Sequence, residues 1–288
     1  MKYIKLIAIV LLAALMCACN GENEERKEYP VGDFEEVQHQ DSEESVVCVR
    51  LDAKRIETDG EGAAMKGGNL EITKGGIYAL SGTLNGSIIV EVSKEEKVEL
   101  FLDGVNIYSE SSAIYVKSAD KVVIELAKDS ENVFYDGKTY AAANGSEPSA
   151  CIYSADDLTI RGEGALKINA NCKNGIQTKN DLRIKGGIIT VFAPKNALKG
   201  KDSVQISGGE ITVLSSTDAI KSDNEKEEDR GKVIISGGKL NLSCQDDGIQ
   251  AFRSVEISGC EIEIYAGDKD INCDGKVKIE DGCIKTEE

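Results

Sequence analysis

Acidic side chains at recurring places are the residues of this sequence best suited to chemistry. Just before a series of isolated apolar residues (Ile176, Leu198, Ile220, Ile249 and Ile271) stands an Asn or Asp: Asn174, Asn196, Asp218, Asp247 and Asp270. Stacked as parallel neighbours about 4.8 Å apart, the asparagines form an amide ladder. The aspartates instead repel across strands, and either raise each other's pKa or recruit a cation. Asp246, Asp268 and Asp223, which opens the acidic stretch 223–229, crowd the same edge. Grouped carboxylates supply the hard oxygens that Ca2+ takes, so Asp218, Asp223, Asp246, Asp247, Asp268 and Asp270 are the candidate metal ligands. Lys199 and Lys221 follow Leu198 and Ile220 at matching positions. Beside bound Ca2+ such a lysine acts as a base, or else it pairs with the aspartates.

Composition removes several other chemistries. The 288 residues contain one histidine, His39, in a polar N-terminal stretch. A Ser-His-Asp triad, a Cys-His pair and an HExxH zinc site are thereby excluded. A net charge of −17 argues against a nucleic-acid partner, because nothing displaces counterions from phosphates. Beyond residue 45 the seven cysteines are irregularly spaced with no CxxC pair, which fits small buried thiols better than a disulfide framework or zinc cluster.

The elements that must position the acids come from a repeat. Leu158/Ile160, Leu182/Ile184, Val204/Ile206, Val233/Ile235, Val255/Ile257 and Val277/Ile279 recur about every 22 residues, once an acidic insertion near 223–230 is set aside. A second phase follows (Leu166/Ile168, Ile189/Val191, Ile211/Val213, Leu240/Leu242, Ile262/Ile264), and the isolated apolar residues form a third. Gly186-Gly187, Gly208-Gly209 and Gly237-Gly238 mark corners between the first two phases. Three short strands per repeat bury nothing alone but form a continuous interior when stacked. The expected fold is all-β, a single-stranded right-handed parallel β-helix of about nine coils, with 46–288 as one domain and 127–150 as a loop or small excursion. Ahead of it, 1–18 reads as a signal peptide, with Lys2 and Lys5 before the apolar run Leu6–Met16. Ala18-Cys19 resembles a lipobox that makes Cys19 the acylated residue. Residues 19–45 form an acidic tether, suiting a cell-envelope lipoprotein of the cell surface or outer membrane.

Several segments carry a family resemblance: Leu102-Asp-Gly-Val-Asn-Ile107, Asp157-Leu-Thr-Ile160, Asn174-Gly-Ile176, Asp218-Ala-Ile-Lys-Ser-Asp-Asn224, Ile234-Ile-Ser-Gly-Gly238 and Asp246-Asp-Gly-Ile-Gln-Ala251. In this order they resemble a bacterial carbohydrate-binding domain family, formerly catalogued as a domain of unknown function. The resemblance implies a right-handed parallel β-helix related in shape to pectate lyases. It further implies calcium at the coil edge and adhesion to acidic pectin-like chains or cellulose. Asp218, Asp223, Asp246 and Asp247 fall on its acidic motifs; Asp268 and Asp270 extend the column beyond them.

Three functions follow as expectations. The first is a calcium-dependent polysaccharide-binding lipoprotein touching the membrane through its lipid only; Ca2+ bridges carboxylates of protein and glycan. The absence of Trp tells against a flat aromatic platform and leaves Tyr108, Tyr115 and Tyr153 as modest stacking surfaces, which favours acidic glycans. The second is a polysaccharide lyase in which Lys199 or Lys221 removes the proton α to a uronate carboxylate. The third is a calcium-stiffened adhesin or scaffold.

Overall fold

The computed structural model describes residues 46–140 and 148–285, so the expected signal peptide, the expected lipidation site Cys19 and the expected acidic tether lie outside the described residues. Strands are numbered in chain order. Eight of them join into a ring of parallel pairs: β7 (Lys97–Tyr108), β9 (Lys121–Leu126), β12 (Asp157–Gly162), β15 (Asp181–Ile184), β18 (Ser203–Ser215), β16 (Ile188–Ala193), β13 (Ala165–Asn169) and β10 (Glu131–Tyr135). The last of these pairs with β7 again, Val133 opposite Asn106 and Tyr135 opposite Tyr108. Outside the ring lie β5 (Gly76–Leu84), β1 (Val46–Ala53) and β2 (Arg55–Thr58) on one side. On the other lie β20 (Lys232–Cys244), β22 (Ser254–Ile257), β23 (Glu261–Tyr265), β25 (Lys276–Ile279) and β26 (Ile284–Lys285).

This connectivity corrects the expectation of a single-stranded right-handed parallel β-helix of about nine coils. In its hydrogen bonding the molecule is all-β, with a closed eight-stranded parallel β-barrel and further strands outside it. The cause lies at the corners. A Gly-Gly pair suggests a strand end, yet β18 runs unbroken through Gly208-Gly209 and β7 runs through Gly104. Each long strand therefore pairs with two successive sets of neighbours, and the ladder closes. The stretch 127–150 is also more than a loop, because β10 within it joins β7 to β13.

A second sheet of ten short strands carries the third apolar phase. It comprises β3 (Ala63–Lys66), β4 (Asn69–Ile72), β6 (Ile88–Glu91), β8 (Ile114–Ser118), β11 (Ala150–Ser154), β14 (Asn174–Thr178), β17 (Leu198–Gly200), β19 (Ile220–Ser222), β21 (Ile249–Ala251) and β24 (Ile271–Cys273). Among the described strands, pairing is parallel except where β2 turns back on β1 and β3 on β4.

Register and repeat agree. Leu182 lies opposite both Leu158 and Val204, Ile211 opposite both Ile189 and Leu240, and Ile220 opposite both Leu198 and Ile249. These apolar side chains are buried in one continuous cluster. The final repeat differs: Val277 and Ile279 pair with Val255 and Ile257 but remain 48% and 39% exposed, having a neighbour on one side only.

The corners explain the glycine pairs. Gly187, Gly209 and Gly238 share a φ of 95–98°, a backbone state that side chains resist. A Cβ on Gly209 would lie 2.9 Å from the Gly187 carbonyl oxygen, and one on Gly238 would lie 2.8 Å from that of Gly209. Gly209→Val is therefore expected to destabilise by roughly 1–3 kcal/mol, and the core truncation Leu240→Ala by roughly 2–5 kcal/mol. Urea midpoints measure both; an unchanged midpoint for Gly209→Val would show that the corner stack yields.

Candidate functional site

The small sheet brings the acidic residues together through its backbone register. The Asn174 side-chain oxygen accepts the N–H of Asn196 at 3.1 Å, and that of Asn196 accepts the N–H of Asp218 at 3.3 Å. Asp218 Oδ1 in turn faces the N–H of Asp247 at 3.4 Å. One acceptor oxygen suffices for this ladder, so Asn and Asp serve equally. Each Asp then adds a second oxygen and a negative charge, which the ladder does not use.

The next member of the column is Lys269. The Gly248 N–H reaches the Lys269 carbonyl and the Ile249 N–H that of Asp270, so Asp270 stands one residue beyond the line expected from sequence. The side-chain ladder consequently stops at Asp247, whose Oδ1 is buried and has no hydrogen-bond partner. Its other oxygen accepts from Asn272 Nδ2 at 2.7 Å.

Asp218, Asp246 and Asp247 each place a carboxylate oxygen within 4.8 Å of the others. Asp218 and Asp247 are 2% and 3% exposed, whereas Asp246 is exposed. Lys221 Nζ lies 2.9 Å from Asp218 Oδ2, leaving one cation against three carboxylates. Asp246 is held above the ordinary carboxyl range, by desolvation first and then by the charges of Asp218, Asp247 and Asp268, with Lys221 opposing. The neighbouring Cys244 thiol is pushed up to about 12, chiefly by burial, so it stays protonated and offers no thiolate. This donor set consists of carboxylate oxygen, the kind a hard cation takes.

The other expected ligands stand apart from that triplet. Asp223 is bound to Lys199, 2.6 Å from its Nζ. Asp268 joins the edge through its N–H to the Asp246 carbonyl, and its charge reaches Asp246. Lys199 and Lys221 are register neighbours, Lys199 paired with Asp223 and Lys221 with Asp218. Past them the same line continues to Gln250 and Asn272. Their place one and two repeats after Lys221 was the available sequence signal for Asn272. Lys221, Asp223, Gln250, Asn272 and Asp274 help line a cavity of about 220 Å³ beside the cluster. Of the tyrosines, Tyr153 is buried edge-on against Tyr115, while Tyr108 is half exposed and stacks on Tyr135 at 5.3 Å.

The raised Asp246 carboxyl has a definite linkage. The folded protein binds its proton more tightly than the unfolded chain, so ion-free stability falls as pH rises from the ordinary Asp value through the raised one. Asp246→Asn is expected to flatten that part of the curve. Thermal melts of chelated protein between pH 4 and 7 measure it, and an unaltered slope would remove Asp246 as its cause.

Comparison with known proteins places this geometry in context. The carbohydrate-binding domain-containing family matches residues 66–287. A carbohydrate-binding domain-containing protein of Acetivibrio thermocellus is 50% identical over 239 residues, covering 81% of this chain and 84% of the relative. A solved structure, described as a gadolinium derivative of the polysaccharide lyase-like protein from C. thermocellum, is 43% identical with a TM-score of 0.81. It covers 83% of this chain and 99% of its own. The chain thus belongs to the carbohydrate-binding domain-containing family.

Proposed function

We propose that this protein is a calcium-dependent polysaccharide-binding lipoprotein of the cell surface, taking acidic, pectin-like glycans. The observation that carries this reading is the partnerless oxygen of Asp247, buried within a cluster of three carboxylates to which Lys221 is the one ion-paired cation among the described residues. An acceptor without a donor in a crowded anionic site is costly unless a cation lies against it. Asp218, Asp246 and Asp247 would hold Ca2+, and Asn272 would orient Asp247 toward it. Three carboxylates leave coordination positions of a six- to eight-oxygen ion open, and a uronate carboxylate with its neighbouring hydroxyls fills them. Calcium then bridges a strongly acidic protein and a polyanionic chain that would otherwise repel.

Binding is favoured over cleavage because Lys199 and Lys221, the candidate bases, are each engaged by a carboxylate, Asp223 and Asp218, instead of standing open toward a substrate proton. Asp223 serves by holding Lys199, and Asp268 by adding to the field at Asp246. In this reading Cys19 carries the lipid, and residues 20–45 hold the domain clear of the membrane.

The test is retention of the purified protein on polygalacturonate and on cellulose, with Ca2+ or with chelator, while unsaturated uronate is followed by absorbance. Retention on polygalacturonate lost on chelation, without product, is expected; product formation would replace the binding reading by the lyase. Asp247→Asn should abolish calcium-dependent retention. Asn272→Ala should weaken Ca2+ binding by roughly 10- to 100-fold, the cost usual for groups that orient a metal ligand. A calorimetric titration giving wild-type affinity for both variants would dismiss this ion site. Separately, palmitate labelling of expressing cells should mark the wild type and not Cys19→Ala; equal labelling would refute the anchor.

A further inference from the structure

The last repeat is an exposed edge of the described chain. Its apolar residues Val277 and Ile279 are substantially exposed, and β24, β25 and β26 each have a pairing neighbour on one side only. Such an edge is where a stacked structure opens first. Two cysteines sit where this repeat joins the one before it. Ile262 pairs with Ile284, and the Ile262 N–H donates to the Cys283 carbonyl at 2.8 Å, which brings Cys283 alongside the start of β23. Cys260 immediately precedes that strand, so it lies one register step from Cys283. Cys283 is 4% exposed and belongs to the core, while Cys260 is half-buried against it. Both residues pack against the same core cluster on neighbouring turns whose strands run about 4.8 Å apart, a spacing that suits the span a disulfide bridges.

We propose that Cys260 and Cys283 form a redox-controlled intramolecular disulfide that staples the terminal repeat to the body of the protein. The chemistry balances with any small disulfide as oxidant. The Cys260 thiolate, the more accessible of the two, attacks a sulfur of oxidised glutathione and expels one glutathione thiolate. The Cys283 thiolate then attacks the Cys260 sulfur of the mixed disulfide and expels the second. Both thiols lose a proton, the protein loses two electrons, and two glutathiones are produced. The bond closes a loop of 22 intervening residues that contains Asn272, the partner of Asp247, so it also steadies one wall of the acidic site. It does not depend on the calcium reading.

Burial and the adjacent Cys283 push the Cys260 thiol above its ordinary range, so few thiolates exist near neutral pH. Oxidation should therefore be slow there and accelerate roughly tenfold per pH unit over the mildly alkaline range.

The experiment treats the full chain with oxidised glutathione at pH 7, 8 and 9, alkylates the remaining thiols, and maps peptides without reduction. A Cys260–Cys283 linked peptide lighter by two hydrogens should dominate, and β25 and β26 amides should exchange at least tenfold more slowly than in the reduced protein. Cys260→Ser and Cys283→Ser should each abolish both effects. Both cysteines alkylated after oxidation at pH 9, or either linked mainly to another cysteine, would overturn the proposal. A linked peptide with unchanged amide exchange would overturn the stapling role.

Discussion

Along the described parallel strands, backbone amides are satisfied by the strand one repeat away, and that register constrains everything else. No repeat has an interior of its own; Leu182 is dry because Leu158 and Val204 lie against it on either side. Parallel pairing between equivalent positions multiplies every local choice by the number of repeats. An apolar residue becomes a buried column, a glycine becomes a stacked corner, and a polar residue becomes a ladder. Slipping one strand by a residue would turn a whole column from interior to solvent, so the register is held strongly.

The acidic site follows from the same rule. A column position that needs one acceptor oxygen tolerates Asn or Asp alike, as Asn174, Asn196 and Asp218 show by making the same bond. Changing the amide to a carboxylate leaves the ladder intact and adds charge at a fixed place. Two consecutive changes, Asp218 and Asp247, with Asp246 beside them, concentrate that charge within one ion's reach. Lys269 then ends the column, and the oxygen freed at Asp247 is the opening through which the ladder becomes a site. The site is thus a local departure from the periodic pattern.

Periodic features were legible in the sequence. Burial follows the three apolar phases from Leu158 to Ile264, and the crowding of Asp218, Asp246 and Asp247 was visible in the repeat alignment. What escaped reading was set by pairing across the repeats. Whether a Gly-Gly corner ends a strand depends on neighbours above and below, so the continuity of β18, and with it the closure of the ring, left no trace in composition. Tyr135 and its strand sit in a stretch without a Gly-Gly corner, and only pairing with β7 and β13 reveals them. Asp270 was placed by proximity to Ile271, whereas hydrogen bonds count residues and choose Lys269.

The terminal repeat joins these threads. A buried pair elsewhere in the barrel is held by neighbours on both sides, but the final strands rely on one side alone. Asn272 belongs to β24 in that repeat and holds one oxygen of Asp247, while the other oxygen is free. Any opening of the edge therefore acts first on the carboxylate that anchors the candidate cation site. A cation pulling on Asp247 and a covalent tie at Cys260 and Cys283 would oppose that opening from different ends. The exposed edge of the fold and the acidic cluster thus share one boundary, so an opening of that edge would reach the candidate site first.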